Sequence, residues 1–424
     1  MKVYSNSEIG RLKSVLVHRP DEGISRISPK RAEELLFDDI VHLPRMQYEH
    51  DVFTGLLKHF VDAESSSKGG LIYVHELLSE ALGTDDKKRD RFLKMILDYE
   101  ELPESFIKFL ADLPDEELAD TLISGYHKAD KRYLFDPIPN FIFTRDIAIT
   151  VKDHIIISKA NKEARFRENL LTRFILNTHP TFSDLVENDR LINLNDVEKF
   201  PPSKHGEVVS VEGGDVMMFH ENYLLIGSSE RTTDHAIQSL AQELFKRKIV
   251  ENVVRIKIPN NRSYMHIDTI FTQIDKNVIV CFKPIIYDGE SSRVEVHNIS
   301  GKINVYDSVR EFMWAEINPD MRFIFAGDGR SPYQDREQWT DGCNMVAVRP
   351  GVAFSYDRNP HTDIALKREG YNIVEGEELL KKLESGELNG KDIHRTIINL
   401  PSNELSRARG GSHCMTCPIL REKL

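Results

Sequence analysis

The sequence is poor in cysteine and has no long apolar run. Four cysteines in 424 residues are too few for a disulfide framework, so the thiols are predicted to be free in a reducing compartment. No apolar stretch approaches the roughly 18 residues that a membrane helix needs. The N-terminus, Met1–Glu8, also lacks the apolar core of a secretory signal. These absences predict a cytoplasmic protein that does not span a membrane.

Basic residues are outnumbered as well. Lysine and arginine total 56 against 68 aspartates and glutamates, a net charge of −12. Phosphate recognition needs basic patches, so this balance argues against nucleic-acid binding, whereas it suits a small cationic substrate. With 40% hydrophobic and 29% charged residues, the composition is typical of a globular protein of one large or two medium domains.

Local patterns divide the chain into three parts. Leu12–Val17 is β-branched and predicts a strand, Ser28-Pro29 predicts a helix that continues through Leu36, and Pro44 opens a second helix. Ser65–Gly70 is typical of a linker. Beyond it, apolar residues recur at helical spacing, for example Val74, Leu77, Leu78 and Ala81, so residues 66–133 are predicted to form a helical bundle.

From Asp136 onwards a unit of strand, turn, strand, helix and strand recurs. The predicted hairpins are 141–151 with 154–158, 216–219 with 223–226, 270–274 with 278–282, and a fourth that turns at Pro350-Gly351. Polar residues occupy equivalent places, within the first strand of a hairpin (Asp146) or just before it. If the units close into a ring, these places meet in one pocket.

That pocket would combine a thiol, an imidazole and several carboxylates. Cys414 follows Gly410-Gly411, which permit a positive φ or a close backbone approach. A cysteine with a histidine provides a nucleophile and a proton carrier. Carboxylates would repel an anionic substrate but pair bidentately with a guanidinium group. The predicted electrophile is therefore a guanidinium carbon.

The ordered motifs resemble those of the arginine deiminases of the guanidine-modifying (pentein) superfamily. They are Phe143-Thr144-Arg145-Asp146, Glu212-Gly213-Gly214-Asp215, Ser229-Glu230-Arg231-Thr232, His266-Ile267-Asp268-Thr269, Gln338-Trp339-Thr340-Asp341-Gly342, Tyr356-Asp357-Arg358-Asn359 and Arg409-Gly410-Gly411-Ser412-His413-Cys414-Met415. The resemblance implies an α/β fold, a five-bladed ββαβ propeller made of residues 1–65 and 134–424. An all-helical bundle, residues 66–133, would be inserted into it.

The resemblance also implies a role for each matching residue. Cys414 would be the nucleophile and His266 the acid and base, while Asp146 and Asp268 would hold the guanidinium beside Glu212 and Asp215. Asn140, Arg165 and Arg231 would bind the α-carboxylate, Phe143 would contact the substrate, and Arg409 would lie on a mobile loop. The implied reaction hydrolyses L-arginine to citrulline and ammonia through an S-alkylthiouronium intermediate, in arginine catabolism. We expect no cofactor, no metal and a homo-oligomer.

Two alternatives remain open at this stage. Cys414 and Cys417 form a C-x-x-C motif, which is compatible with a thiol redox protein. Another guanidino compound, such as agmatine, is an alternative substrate. Agmatine has no carboxylate, however, so Arg165 and Arg231 favour arginine. His413, Cys281 and Cys343 are predicted to be structural, and the 375–395 segment to be an additional charged helix or loop.

Overall fold

The computed structural model describes residues 1–62 and 69–424, and within them the protein is a mixed α/β structure. The strands are β1 (Leu12–Val17), β2 (Leu71–Tyr73), β3 (Tyr126–His127), β4 (Arg132–Tyr133), β5 (Ala148–Val151), β6 (His154–Ile157), β7 (Leu191–Asn193), β8 (Val216–His220), β9 (Tyr223–Ser228), β10 (Asn252–Lys257), β11 (Phe271–Asp275), β12 (Val278–Cys281), β13 (Arg293–Asn298), β14 (Ile303–Tyr306), β15 (Arg322–Phe325), β16 (Val346–Arg349), β17 (Val352–Tyr356), β18 (Asn372–Glu375), β19 (Thr396–Leu400) and β20 (Cys417–Arg421). The α-helices are α1 (Glu22–Ser25), α2 (Leu43–Lys58), α3 (Val74–Leu82), α4 (Asp86–Tyr99), α5 (Ser105–Ala111), α6 (Asp115–Ser124), α7 (Phe166–Thr178), α8 (Ser183–Glu187), α9 (Asp234–Lys246), α10 (Lys283–Ile286), α11 (Val309–Phe312), α12 (Tyr333–Trp339), α13 (Pro360–Arg368) and α14 (Gly376–Glu384).

The strands of the described residues form six sheets, and five of these share one plan. In each of the five, an antiparallel pair is extended by a parallel strand: β20-β1 by β2, β5-β6 by β7, β8-β9 by β10, β11-β12 by β15, and β16-β17 by β19. The first and last strands of the chain pair with each other, which joins its two ends. The predicted recurrence of strand, turn, strand, helix and strand is confirmed.

Residues 141–151 were predicted to be one strand, and this is wrong. The segment begins with 3₁₀ turns at Pro139–Ile142 and Thr144–Asp146, and β5 starts only at Ala148. The turn is fixed by long-range hydrogen bonds, because Arg145 N–H donates to the carbonyl of Cys414 at 3.0 Å and Thr144 Oγ1 donates to that of Met415 at 3.0 Å. These bonds take the place of a strand ladder and bring Asp146 to the Cys414 turn.

The predicted helix from Ser28 to Leu36 is absent as well. The residues form successive turns, and Leu36 has a left-handed φ of 65°. The carbonyl of Leu35 accepts a hydrogen bond from Asn140 Nδ2 at 2.8 Å rather than from a helical N–H group. A side chain from a distant segment therefore fixes this loop, and the local N-cap signal cannot reveal that.

Helices α3 to α6 lie where the apolar spacing predicted them. Their buried faces pack on α7, where the rings of Phe92 and Phe174 stack at 4.1 Å. The range 66–133 is nevertheless not all-helical. Strand β2 lies within it and pairs in parallel with β1, and β3 and β4 form a short hairpin near its end. Three residues of β2 suffice to extend an existing sheet, but they are too few to give a periodic signal.

Of the predicted linker, residues 65–68 lie outside the described residues. In the 375–395 segment, α14 buries Leu379 and Leu383 in the core that it shares with α2. Across the described ranges 1–62 and 69–424, no helix combines the length and apolarity needed to cross a bilayer.

Short turns precede the first strand of each antiparallel pair, and they carry the polar residues predicted to meet. Thr144–Asp146 leads toward β5, Gly213–Asp215 into β8 and Ile267–Thr269 into β11. The turn that contains Cys414 leads into β20 in the same way. The fold thus presents these side chains at equivalent positions of neighbouring sheets.

Candidate active site

Cys414 is buried in the turn before β20, and Asn344 and Asp268 hold it in place. Asn344 Oδ1 accepts the Cys414 N–H at 3.1 Å, and its Nδ2 lies 3.2 Å from Sγ. The thiol donates a hydrogen bond to Asp268 Oδ2 at 3.4 Å. The thiol therefore has a fixed direction and a carboxylate at hydrogen-bond distance.

The close approach of Asn344 explains the glycines before Cys414. A Cβ on Gly411 would lie 2.6 Å from the carbonyl oxygen of Asn344, and one on Gly410 would lie 2.3 Å from the ring of Phe143. Neither glycine has a positive φ; the left-handed residue of this segment is Arg409, with φ 62°. Of the two reasons given for this glycine pair, a positive φ and a close backbone approach, only the close approach applies in the structure.

Asp268 is oriented from behind by His413. His413 Nδ1 lies 2.9 Å from Asp268 Oδ2, and its Nε2 lies 2.8 Å from Arg145 Nη2 and 3.2 Å from Glu8 Oε2. Although burial opposes ionisation, His413 holds the pKa of Asp268 below its usual range. Asp268 Oδ1 is buried and has no hydrogen-bond partner among the described residues. One carboxylate oxygen is thus fixed and the other is unused.

His266 lies between two further carboxylates. Its Nε2 is 3.0 Å from Glu212 Oε2 and its Nδ1 is 3.8 Å from Asp146 Oδ1. Burial opposes protonation of the ring, but Asp146, Glu212 and Asp215 outweigh it and raise the pKa of His266 to about 10. At neutral pH this group is an imidazolium, which can donate a proton.

Arg165 occupies the same carboxylates in this structure. Its Nη1 is 2.6 Å from Asp146 Oδ2 and 3.3 Å from Glu212 Oε2, while Nε and Nη2 bind Glu168 Oε2 at 3.0 and 2.9 Å. Arg231 Nη1 lies 3.6 Å from the other oxygen of Glu212. A buried guanidinium therefore sits where carboxylates converge, and it balances their charge.

Asp215 and Gly214 pack behind His266. Asp215 accepts hydrogen bonds from Ser229 Oγ at 2.5 Å and from the Ile267 N–H at 3.0 Å, and Gly214 N–H donates to Asp146 Oδ1 at 2.9 Å. A Cβ on Gly214 would lie 2.5 Å from His266 Nδ1. Desolvation raises the pKa of Asp215 to about 7. This turn fixes the position of both His266 and Asp146.

The Cys414 thiol is strongly biased toward its protonated form. Burial raises its pKa well above the usual value, and the carboxylates of Asp268, Asp146 and Asp341 add to the effect. A thiolate is the reactive species in nucleophilic attack. A positive charge close to Sγ would oppose these effects and favour the thiolate.

Arg409 lies apart from these groups. Its guanidinium carbon is 3.3 Å from the centre of the Trp339 ring, and Nη1 lies 3.7 Å from Asp38. Asn140, in contrast, contacts Arg165: its backbone carbonyl accepts a hydrogen bond from Arg165 Nη2 at 3.3 Å. Arg165 and Arg231 thus lie beside the carboxylates of Asp146 and Glu212, and Asn140 contacts Arg165, whereas Arg409 stacks on an aromatic residue.

A cleft of about 770 Å³ borders the Arg165 region. Its wall includes Lys162–Ala164, next to Arg165, and Glu230, next to Arg231. Most of its charged residues are acidic, among them Glu33, Glu34, Glu100 and Glu163. An acidic cleft raises the local concentration of cationic solutes.

Asp146, Glu212 and His266 also offer three metal-ligand atoms within 4.8 Å of one another. Both carboxylates are paired with Arg165 here, so a metal ion would compete with that guanidinium. Cys414 and Cys417 are free thiols with different partners, because Cys417 Sγ donates to the carbonyl of Ala148 at 3.1 Å.

Comparison with known proteins gives one family. The family model described as arginine deiminase matches residues 111–421. An arginine deiminase of Limosilactobacillus fermentum is 33% identical over 448 residues, covering 100% of this chain and 99% of the relative. Those of Listeria monocytogenes and Borrelia garinii subsp. bavariensis are each 32% identical and cover 99% of this chain and 97% of the relative. The chain belongs to the arginine deiminase family.

Solved structures agree on the fold. The product-bound N-terminal domain of ArgZ, described as a cyanobacterial arginine dihydrolase, superimposes with a TM-score of 0.50 at 13% identity, covering 96% of this chain and 97% of that domain. AgrE in complex with ornithine and NAD+ gives a TM-score of 0.51 at 13% identity, with 98% of this chain and 40% of AgrE covered. At these identities the likeness concerns the α/β fold alone.

The residues predicted for the site lie close to one another in the structure. The five residues predicted to be catalytic (Cys414, His266, Asp146, Asp268 and Glu212) are all buried, and they form two adjoining hydrogen-bonded groups around Asp146 and Asp268. Asp215 supports His266, and Phe143 packs under Gly410. In this structure Arg165 binds the carboxylates of Asp146 and Glu168, and its pairing with the α-carboxylate of a substrate stays a prediction.

Sequence reasoning missed the groups behind Asp268. His413 was predicted to be structural, and Glu8 and Arg145 were given no role. His413 and Arg145 directly precede the predicted site residues Cys414 and Asp146, and this was the available signal for them, whereas Glu8 has no such neighbour in the sequence. Their contacts join positions up to 405 residues apart, so only the fold could reveal them.

Proposed function

We propose that this protein hydrolyses the guanidinium group of free L-arginine to L-citrulline and ammonia. The observation that carries the proposal is the geometry around Cys414: a buried thiol 3.4 Å from Asp268, with the protonated His266 and the carboxylates of Asp146 and Glu212 alongside. Family membership supports the same reaction, since the relatives that cover the whole chain bear the name arginine deiminase.

Substrate charge provides the activation that the thiol requires. A guanidinium held between Asp146 and the unused Oδ1 of Asp268 would place a cation beside Sγ. That cation offsets the carboxylates that keep Cys414 protonated, and it lowers the free-energy cost of the thiolate. The Cys414 proton is then released to solvent mainly when the cationic substrate is bound, and it returns when the neutral ureido product leaves.

The chemical steps use groups that are already in position. The Cys414 thiolate forms an S–C bond to the guanidinium carbon, and His266 gives its proton to the departing nitrogen as the C–N bond breaks. The S-alkylthiouronium that remains is attacked by a water molecule that His266 deprotonates. Cleavage of the C–S bond releases citrulline and restores the thiolate, while ammonia takes up the remaining proton. Acid–base assistance of this kind contributes roughly 10²–10⁴ in rate.

Arg165 would exchange partners during binding. In this structure its guanidinium occupies Asp146, the carboxylate assigned to the substrate guanidinium. The incoming substrate replaces it there, and Arg165, with Arg231 and Asn140 nearby, then pairs with the α-carboxylate. Burial raises the pKa of Glu168 to about 7, although the contact with Arg165 opposes this shift.

The finer architecture belongs to the same proposal. The five sheets with a common plan would be the five blades of a propeller formed by residues 1–65 and 134–424 together with strand β2, and helices α3 to α6 of the 66–133 range would be its insertion. The β1-β20 pairing, which joins the chain ends, supports this closure. A cytoplasmic location, arginine catabolism, a homo-oligomer without nucleic acid, cofactor or metal, and movement of the Arg409 loop remain predictions.

A substrate panel tests the function. Incubation with arginine, agmatine and a methylated arginine should give a ureido product and ammonia from arginine, with far slower turnover of agmatine. Mass spectrometry of acid-quenched enzyme should show an adduct of arginine less ammonia on the peptide that contains Cys414.

Two variants sharpen the test. Cys414→Ser should lose turnover by roughly 10³-fold or more, as expected when a nucleophile is removed. Cys417→Ala is the matched control and should retain near-parental activity, because the Cys417 thiol donates its hydrogen bond to the carbonyl of Ala148 and packs in a hydrophobic core. Parental turnover by Cys414→Ser would refute the scheme. If Cys417→Ala lost activity as Cys414→Ser does, both thiols would be needed, which would favour the redox alternative.

A further inference from the structure

Strand β14 is the free edge of the largest sheet. That sheet has the order β14-β13-β10-β9-β8, and within the described residues β14 pairs only with β13. An edge strand presents a row of backbone N–H and C=O groups that can pair with another strand. The opposite edge, β8, adjoins the Gly213–Asp215 turn of the candidate site, so the β14 edge lies away from it.

The ladder register shows which backbone groups face outward. Asn298 N–H donates to the carbonyl of Lys302 at 2.9 Å, and in the same register Asn304 pairs with Val296 and Tyr306 with Val294. Hydrogen-bonded and non-hydrogen-bonded pairs alternate in an antiparallel ladder. The N–H and C=O groups of Ile303 and Val305 therefore point away from β13.

These two residues also have exposed side chains. Ile303 is 55% and Val305 49% exposed, and both are β-branched residues that favour strands. Edge strands are usually protected by charged residues, proline or a bulge. Residues 303–306 contain no charged residue or proline, and the β13-β14 register has no shift.

We propose that β14 pairs with β14 of a second copy of this chain, antiparallel and about a two-fold axis at Asn304. In this register Ile303 of each copy lies opposite Val305 of the other. Both residues have outward backbone groups, so the pairing forms four hydrogen bonds and joins the exposed side chains into one apolar strip. Two five-stranded sheets become one continuous sheet across the axis.

The charges near β14 and the hydrogen bonds of the residues that flank it favour a second copy of this chain as the partner of the strand. The register places Lys302 of each copy opposite Tyr306 of the other, whose hydroxyl donates to Glu316 at 2.6 Å, so a cation faces a carboxylate at both ends. The N–H groups of Gly301 and Asp307 already have partners within the chain, Asn298 O at 2.8 Å and Glu311 Oε2 at 3.2 Å. The pairing is thus limited to the self-complementary segment between them.

Particle mass in solution tests this interface. The full-length protein should be a dimer or an even-numbered higher oligomer by light scattering coupled to gel filtration. Val305→Lys places two cations across the seam and should halve the particle mass while arginine turnover is retained. Val208→Lys is the matched control, because Val208 is also 49% exposed, and its mass should equal that of the parent.

A cross-link tests the register. In a non-hydrogen-bonded antiparallel pair the Cα atoms lie about 4.5 Å apart, which a disulfide can span. Asn304→Cys should therefore form a covalent dimer under mild oxidation and Val208→Cys should not; the four native cysteines are buried. A monomeric parent, an unchanged mass for active Val305→Lys, or no cross-link through residue 304 would overturn the proposal.

Discussion

At the scale of single residues, the candidate site is a set of carboxylates that already hold a guanidinium. Arg165 forms three close contacts with Asp146, Glu212 and Glu168, and all four side chains are buried. Such an arrangement avoids leaving uncompensated buried charge when no substrate is bound, which would cost several kcal/mol. Under the proposed function, substrate binding would replace one guanidinium by another rather than create a new ion pair.

Arg165 should therefore govern which guanidino compound is used. Arg165→Lys keeps a positive charge but loses the fork that binds a carboxylate bidentately. We expect kcat/KM for arginine to fall by roughly 10²-fold, whereas that for agmatine, which has no carboxylate, falls much less. Steady-state kinetics with both substrates measures the ratio.

Arg173→Lys is the control for a general effect of replacing arginine by lysine. Arg173 lies in helix α7, which begins directly after Arg165, and its exchange should leave the ratio unchanged. An equal loss for the two substrates would contradict a carboxylate-binding role for Arg165 and would favour a purely structural one.

Much of the site was predictable at this scale because each residue lies in a recognisable local motif. Cys414, His266, Asp146, Asp268 and Glu212 were all found in this way, and the fold brings them together. The partners of His413 and Arg165 were not predictable. Buried ion pairs depend on which distant segments come into contact in the fold, and neither the spacing of residues in the sequence nor the amino-acid composition predicts those contacts.

At the scale of elements, the site depends on short 3₁₀ turns rather than on strands or helices. The turns Thr144–Asp146, Gly213–Asp215 and Ile267–Thr269 each add polar groups just before a strand begins. Gly214 allows the second turn to pass against His266, since a Cβ there would lie 2.5 Å from Nδ1 and 3.1 Å from Asp146 Oδ1.

Gly214→Ala should consequently displace His266 and Asp146 together. We expect kcat to fall by roughly 10²-fold, since small misplacements of reacting groups have effects of this size, with a modest loss of thermal stability. Steady-state kinetics and a melting curve are the measurements.

Gly83→Ala is a matched control, because its Cβ would also lie 2.5 Å from a neighbour, but that neighbour is the end of the Asp115 side chain on the surface. Parental kcat in Gly214→Ala, or an equal loss in Gly83→Ala, would be inconsistent with this role for the turn.

The elements themselves were predictable where hydrophobic period and turn chemistry agreed. The hairpins at 152–153, 221–222 and 350–351 and the helices α3 to α6 follow that rule. The failures, at 28–36, at 141–147 and in β2, share one cause. Tertiary hydrogen bonds or a neighbouring strand decide the local conformation there, and they override a weak local preference.

At the scale of the whole molecule, burial raises the pKa values of several carboxyl groups. Desolvation raises the pKa values of Asp215 and Asp341 to about 7, and burial does the same for Glu168. In the unfolded chain such groups titrate near about 4. Between these values the folded protein binds more protons than the unfolded chain, so its stability falls as pH rises from about 4 to about 7.

His266 extends this trend to higher pH. Its pKa, raised to about 10, lies above the unfolded value of about 6.5, so its contribution to stability is present below that value and is lost as pH rises through about 10. Glu8 and Asp268 act in the opposite sense, because their lowered pKa values contribute stability that is lost in acid. The melting temperature should therefore be highest in mildly acidic solution.

Asp341 offers a direct check, since it is buried, its Oδ2 has no partner among the described residues, and asparagine tolerates its left-handed φ of 62°. Melting temperatures measured from pH 4 to pH 9 at constant ionic strength should decline above about pH 5 in the parent. Asp341→Asn cannot ionise, so its decline between pH 5 and pH 8 should be shallower, whereas the exposed Asp320→Asn should follow the parent. Parallel profiles for all three proteins would mean that Asp341 ionises in the folded state without cost, and the neutral carboxyl assigned to it here would be wrong.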